Sequence, residues 1–258
     1  MTGSQAPATR IDARHWPCID FVSDLHLHDQ EPETFRAFDF YLTHSPANAL
    51  FLLGDLFEAW IGDDLLNDPM GAWEKNCVRA LAHAAQRMSL FWIPGNRDFL
   101  TGSDFLKQAC VTLLADPCVL VLPRETCLIS HGDALCVEDH AYQTFRAQVR
   151  SPQWQKSFLS RPLQERKALA LAMRQQSREH QKQQTSFYDV PADLARAWLK
   201  KSEATRLIHG HTHRPDDHDL GNGYSRTVLS DWSLTHPPLR AEILRWQQGW
   251  SRVSAKIP

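Results

Sequence analysis

No stretch of this 258-residue chain is long and apolar enough to span a bilayer, since a spanning helix needs about 20 consecutive apolar residues. The opening residues, MTGSQAPATRIDARHW, also lack the continuous apolar segment of a secretory signal. Residues 1–14 are expected to be a mobile tail and 15–258 the folded domain. The chain carries no excess charge of either sign, and a net −2 gives no basis for general nucleic-acid affinity. Its six cysteines, Cys18, Cys77, Cys110, Cys118, Cys127 and Cys136, include no CxxC pair and sit mostly within apolar runs. That argues against zinc ligands or a disulfide framework and for buried, reduced thiols in a cytoplasmic protein.

What is present is a repeated pattern. The apolar run Phe51, Leu52, Leu53 reads as a buried strand, and Gly54 and Asp55 follow at once, so a carboxylate stands at the mouth of a sheet. Four other runs end in the same way: Ile19 to Val22 in Asp24 and His26, Leu90 to Ile93 in Asn96, Leu128 to Ser130 in His131, and Leu207 to Ile208 in His211 and His213. Five such ends converge most simply if the strands are neighbours that finish at one edge, where open α/β sheets bind ligands. Asp55 is then expected near the centre of a metal cluster. Residues two apart in extended backbone point the same way, so Asp24 can act with His26, and His211 with His213. Each short pattern alone also fits a surface turn; the series gives it weight.

Between the runs, Phe35, Phe38, Tyr41 and Leu42 recur at helical spacing behind Pro32, and Trp73, Cys77, Leu81, Ala84 and Met88 mark a second amphipathic helix. The first of these gives a β-α-β unit leading into the Asp55 strand. Glu58, Asp63 and Asp64 read as carboxylates of a solvated loop, and His28 as a loop residue, without ligand roles. Val111 to Leu114, Val119 to Leu122 and Cys127 to Ser130 read as neighbouring strands, and Tyr224 to Val253 as closing strands with a turn at His236 to Pro238. Composition shifts over 139–184, where nine Lys and Arg face three acids, +6 in a chain of −2, interleaved with Tyr142, Phe145, Trp154, Phe158 and Leu169. This reads as a helical insertion. Its basic face is either simply solvated or a docking surface for an anionic, partly apolar ligand or an acidic membrane.

In order along the chain, Asp24 with His26, Gly54 with Asp55, Gly95 with Asn96, His131, and Gly210, His211 with His213 form the blocks DxH, GD, GN, H and GHxH. This ordered set resembles the calcineurin-like metallophosphoesterases. The resemblance implies an α/β fold of four layers, α/β/β/α, with two packed mixed sheets. It implies one metal ion held by Asp24, His26, Asp55 and His213 and a second held by Asp55, Asn96, His131 and His211. Such mixed imidazole, carboxylate and amide ligands admit Mn, Fe, Co or Zn. Arg97 stands where many members have His after the GN. An arginine stays protonated and cannot act as a general acid, which favours a substrate whose leaving group needs no proton.

The longer blocks GDLFEAWIGDD, GNRDFL, HGDALCVEDHAYQTFR, MRQQS and LIHGHTHRP look like those of the lipid A pathway hydrolases that act on UDP-2,3-diacylglucosamine. That family implies Mn2+, attack at the α-phosphorus with release of UMP and 2,3-diacylglucosamine 1-phosphate, and peripheral association with the cytoplasmic face of the inner membrane. It implies catalytic use of Asp55, Asn96, Arg97 and His211, and substrate contacts from Asn96, Arg97, Asp139, Ser177 and His211, with Gln181 near a further contact position. The insertion then becomes the cap that receives the acyl chains. SDWSLTH near the end replaces the run usual in the family. A different pyrophosphatase or phosphodiesterase on this fold, or a metal-free binding scaffold, are the competing readings.

Overall fold

Ile19 and Phe21 point to one side of their strand and Val22 to the other, and both sides are buried, which requires a packed layer on each face. The computed structural model, which describes residues 9–183, 188–235 and 237–256, supplies those layers. In chain order the strands are β1 (Thr9–Asp12), β2 (Ile19–Val22), β3 (Ala49–Leu52), β4 (Ser89–Trp92), β5 (Thr112–Leu113), β6 (Cys118–Val121), β7 (Thr126–Ser130), β8 (Arg206–His209), β9 (Asp216–Gly221), β10 (Tyr224–Val228), β11 (Glu242–Trp246) and β12 (Trp250–Ser254). The helices are α1 (Pro32–His44), α2 (Ala72–Ala84), α3 (Ser103–Ala109), α4 (His140–Val149), α5 (Pro152–Leu159), α6 (Leu163–Gln183) and α7 (Ala192–Lys201).

Two six-stranded mixed sheets result, one ordered β12-β11-β2-β3-β4-β5 and the other β1-β6-β7-β8-β10-β9. Between them lies a core in which Ile19, Phe21, Phe51, Leu53 and Ile93 meet Cys118, Leu120, Cys127, Ile129 and Ile208. On the outer face of the first sheet, Val22, Leu50, Leu52 and Trp92 pack against Phe38, Tyr41 and Leu42 of α1 and Val78 and Leu81 of α2. On the outer face of the second, Val119, Leu128 and Leu207 pack against Ala195 and Leu199 of α7. The fold is therefore the α/β/β/α sandwich that the family resemblance implies.

Register is pinned where it matters for the strand ends. Phe21, Phe51 and Phe91 stand opposite one another on the parallel strands β2, β3 and β4. Their rings stack at 5.2 Å and 4.7 Å between centroids, and a one-residue slip would turn each ring to the helical face. The three strands thus finish at one level.

Two expectations change. Thr9–Asp12 is not part of a mobile tail: it forms β1 and pairs in parallel with β6, so the folded unit starts earlier than 15, and the rest of the expected tail, 1–8, lies outside the described residues. The five strands with metal-binding ends are also not neighbours in one sheet. β2, β3 and β4 belong to one sheet and β7 and β8 to the other, so convergence comes from sheet packing as well as strand adjacency. The insertion is helical as expected, built from α4, α5 and α6. Asp139 caps α4 by accepting the Tyr142 N–H at 2.9 Å, and Ser151 caps α5 ahead of Pro152. All six cysteines are free thiols, and only Cys110 is exposed. Among the described residues no helix is long and apolar enough to cross a membrane.

Candidate metal centre

Asp24, His26, Asp55, Asn96, His131, His211 and His213 all lie in the loops just beyond the C-terminal ends of β2, β3, β4, β7 and β8, and the structure brings them together. Asp24, His26 and His213 form one group of ligand atoms within 4.8 Å of one another, and Asp24, Asp55 and His131 another. Asn96 joins through its Oδ1, 3.0 Å from His131 Nε2 and 2.9 Å from His211 Nδ1. His131 is oriented by a bond of 2.9 Å between its Nδ1 and the Leu53 carbonyl, which leaves Nε2 facing Asn96 and, at 3.7 Å, Asp55.

The loops reach these positions by an uncommon backbone conformation. Asp24, His26, Asp55, His211 and His213 all have positive φ, between 48° and 67°, a region that non-glycine residues enter at a cost and that concentrates at functional sites. The glycines of the motifs allow the close approach. A Cβ on Gly95 would collide with the Asp55 carboxylate, and one on Gly210 with that of Asp24.

The electrostatics follow from burial. Asp24 and Asp55 are almost fully buried. Burial lifts the Asp55 carboxyl above the usual range, with the neighbouring Asp24 charge adding to it. Against the same burial, the hydrogen bond and charge of His213, with His131 and His26, hold Asp24 below it. His131, despite burial, is pushed up to about 9 by Asp55, Asp24 and Asp133. Burial and the charge of His131 bring His211 down to about 3, and burial with His213 holds His26 well below its usual value.

This donor set fits divalent cations. Asp24 Oδ1 is buried with His213 Nε2 3.3 Å away, the Nε2 atoms of His26 and His213 face each other at 3.2 Å, and two buried carboxylates need positive charge nearby. Carboxylate, imidazole and amide oxygen together suit first-row divalent metals.

Several functional carboxylates escape a reading by strand ends. Asp98, fully buried, accepts the backbone N–H groups of Gly95 (2.7 Å), Leu56 (2.7 Å), Asp55 (3.3 Å) and Phe57 (3.4 Å), fixing two ligand loops at once. Asp133, two residues after His131, holds Tyr142 (2.8 Å), Arg146 (2.7 Å) and Arg150 (3.3 Å), and Arg150 also donates to the Gly95 carbonyl at 3.0 Å. The cap is thereby tied to the centre. Glu58, Asp63 and Asp64, expected in a solvated loop, are engaged: Glu58 pairs with Arg174, Asp64 with Arg166, and Asp63 accepts the Trp60 indole and the N–H groups of Gly102, Asp104 and Phe105, each at 2.9 Å. Arg97 is placed by its own N–H bond to Asp55 Oδ1 (2.8 Å), with its Nε 3.8 Å from Asp55 Oδ2. Of the expected substrate contacts, Asp139 serves as the α4 cap and is partly buried, Ser177 lies on α6 one turn beyond Arg174, and the side chain of Gln181 lies outside the described residues.

The model of the calcineurin-like phosphoesterase family matches residues 19–215, which span every one of these candidate ligands. This chain belongs to the calcineurin-like phosphoesterase family. Within it, the chain is 43% identical over 218 residues to the UDP-2,3-diacylglucosamine hydrolase of Chromohalobacter salexigens, covering 82% of this chain and 87% of that one. It is 44% identical over 227 residues to the enzyme of that name from Aromatoleum aromaticum (85% and 91% covered) and 39% identical over 240 residues to that of Stenotrophomonas maltophilia (88% and 95% covered). Family and donor set together define a dinuclear divalent-metal site in a hydrolase.

Proposed function

We propose that this chain hydrolyses UDP-2,3-diacylglucosamine in lipid A biosynthesis, by attack of water at the α-phosphorus to give UMP and 2,3-diacylglucosamine 1-phosphate. The observation that carries the reading is the seven-residue centre lying under a basic, apolar-rich cap tied to it through Asp133 and Arg150, in a chain about 40% identical to hydrolases named for that substrate.

Asp24, His26, Asp55 and His213 would hold one ion, and Asp55, Asn96, His131 and His211 the other, with Mn2+ as the native metal. When bound, such a pair supplies an activated water and stabilises charge on the attacking and leaving oxygens. The chain's own residues do the rest. Asp98 and the Asp55 carboxylate hold the turn that presents Arg97, and the Arg97 guanidinium balances the charge that grows on the diphosphate oxygens. Arg97 gives no proton, and the leaving group needs none: the bond from the α-phosphorus to the bridging oxygen breaks, and a sugar 1-phosphate leaves as a stable anion. Asn96 and His211 hold the α-phosphate side, His211 being oriented by its own N–H bond of 2.9 Å to Asp24. Asp139 at the start of α4 and Ser177 of α6 serve as substrate contacts, with Gln181 near a further contact position. Leu159, Leu169, Leu171 and Phe145 are exposed among Lys156, Arg161 and Lys167, which supports peripheral attachment to the anionic cytoplasmic face of the inner membrane.

The test is UMP release from UDP-2,3-diacylglucosamine beside UDP-glucosamine and a simple phosphomonoester, repeated in 18O-water. Preference for the acylated substrate with the label in UMP is expected. Equal rates on all three would favour a general phosphoesterase, and label in the lipid phosphate would place attack at the β-phosphorus.

A further inference from the structure

Two imidazoles of the centre are built alike on their far side. His26 and His213 bring their Nε2 atoms together beside Asp24, and each turns its Nδ1 toward a carboxylate: His26 to Glu58 Oε2 at 3.6 Å and His213 to Asp231 Oδ2 at 3.8 Å. Each carboxylate is in turn held by an arginine. Arg240 grips Asp231 with bonds of 2.8 and 2.6 Å from the loop before β11. Glu58 pairs through its other oxygen with Arg174, and Arg174 belongs to α6, the long helix of the cap. The two supports are thus equivalent in chemistry and differ in origin. The Glu58 and Arg174 side chains are only 20% and 14% exposed, so the pair is little screened by solvent ions.

A metal-binding imidazole is commonly oriented through its second ring nitrogen, and losing that partner typically weakens metal binding 10–100-fold. We infer that Glu58 is a positioning residue that couples the cap to the metal centre. Arg174 on α6 orients the Glu58 carboxylate, and Glu58 orients the His26 ring. The position of the cap helix would therefore be read out at the ion that His26 would hold. This inference rests on the reading of His26 as a metal ligand.

A second arginine of the same helix provides the contrast. Arg166, buried, docks α6 on the loop after Asp55 with bonds to the Ile61 carbonyl (2.6 Å) and to Asp64, and braces the helix start through the Arg161 carbonyl (2.9 Å). It fastens the cap without lying on the path from Glu58 to His26.

The test uses Mn2+ alone as the probe on the full chain stripped by chelator, followed by calorimetry and by the electron paramagnetic resonance of the bound ion. Glu58→Gln should weaken one of the two Mn2+ binding steps by about 10–100-fold and alter the resonance line shape. Arg174→Met should do the same to a smaller degree, with Arg174→Lys restoring part of the loss. Arg166→Met should lower the melting temperature and leave Mn2+ affinity unchanged. Should Glu58→Gln fail to fold, Arg174→Met against Arg174→Lys carries the test. Unchanged affinity in the Glu58 and Arg174 variants would overturn the inference, and so would an equal loss in Arg166→Met, since cap docking in general would then be the cause. Wild-type protein that binds no Mn2+ would instead remove the metal reading on which the inference rests, a failure distinct from the other two.

Discussion

The buried Asp98 carboxylate accepts the Gly95 N–H at 2.7 Å and so closes the turn that presents Asn96 and Arg97. Because the same carboxylate also holds the N–H groups that follow β3, one side chain sets the spacing between the Asp55 and Asn96 loops. Asp98→Ala leaves buried donors without an acceptor, and each such group costs about 1–3 kcal/mol. Urea unfolding should show a loss of at least that size together with reduced turnover. An unchanged midpoint would mean that water replaces the carboxylate at no cost.

Asp55→Ala should reduce turnover to background even at saturating Mn2+, because both proposed ions lose a ligand at once. Treatment of the wild type with chelator should have the same effect and be reversed by added Mn2+. A folded Asp55→Ala protein with near-normal activity would remove the dinuclear assignment.

Arg97→Ala is expected to lower kcat on the order of 10²–10³-fold, the scale for loss of one transition-state donor. Arg97→Lys should recover little of it, since an ammonium lacks the planar fork. A variant changed only in KM would assign Arg97 to binding the ground state.

Leu171 is 62% exposed on α6. Leu171→Glu should leave stability within about 0.5 kcal/mol and yet reduce co-sedimentation with anionic phospholipid vesicles. Wild-type sedimentation by this variant and by Leu169→Glu would count against attachment through the cap.

Asp189 is held below the usual carboxylate range: burial opposes this, but the fork from Arg226, at 2.9 and 3.0 Å, outweighs it. A carboxyl lowered on folding stabilises the fold above its unfolded pKa, near 4, and loses that contribution as pH falls through the folded value. Asp189→Asn should therefore be less stable than wild type at pH 7, with the gap closing on acidification below pH 4. A gap independent of pH would assign the effect to packing.

The candidate ligands were legible in the sequence because each follows its own strand by a few residues, a local relation that period and punctuation reveal. The supporting shell was not. Three of the four Asp98 partners lie 41 to 43 residues away in the chain, and Arg174 meets Glu58 from another part of the fold, so little that is local distinguishes these carboxylates from solvated ones. The best available signal was Asp98 closing GNRD directly behind two proposed site residues. β1 was missed because Thr9–Asp12 offers one large apolar residue, Ile11, and its strand character comes from its partner β6. The split of the strands between two sheets was visible only through family resemblance, since hydrophobic period does not say which strands are neighbours.

That split has a consequence for how the two halves are held together. Asp24, His26, Asp55 and Asn96 extend from β2, β3 and β4, while His131, His211 and His213 extend from β7 and β8 in the other sheet. Neither half of the sandwich owns the complete set of candidate ligands. An ion that binds only when both halves are present adds RT ln(1 + [L]/Kd) to their adhesion. An ion held by candidate ligands from both sheets would thus be a clasp between the two halves as well as a reagent.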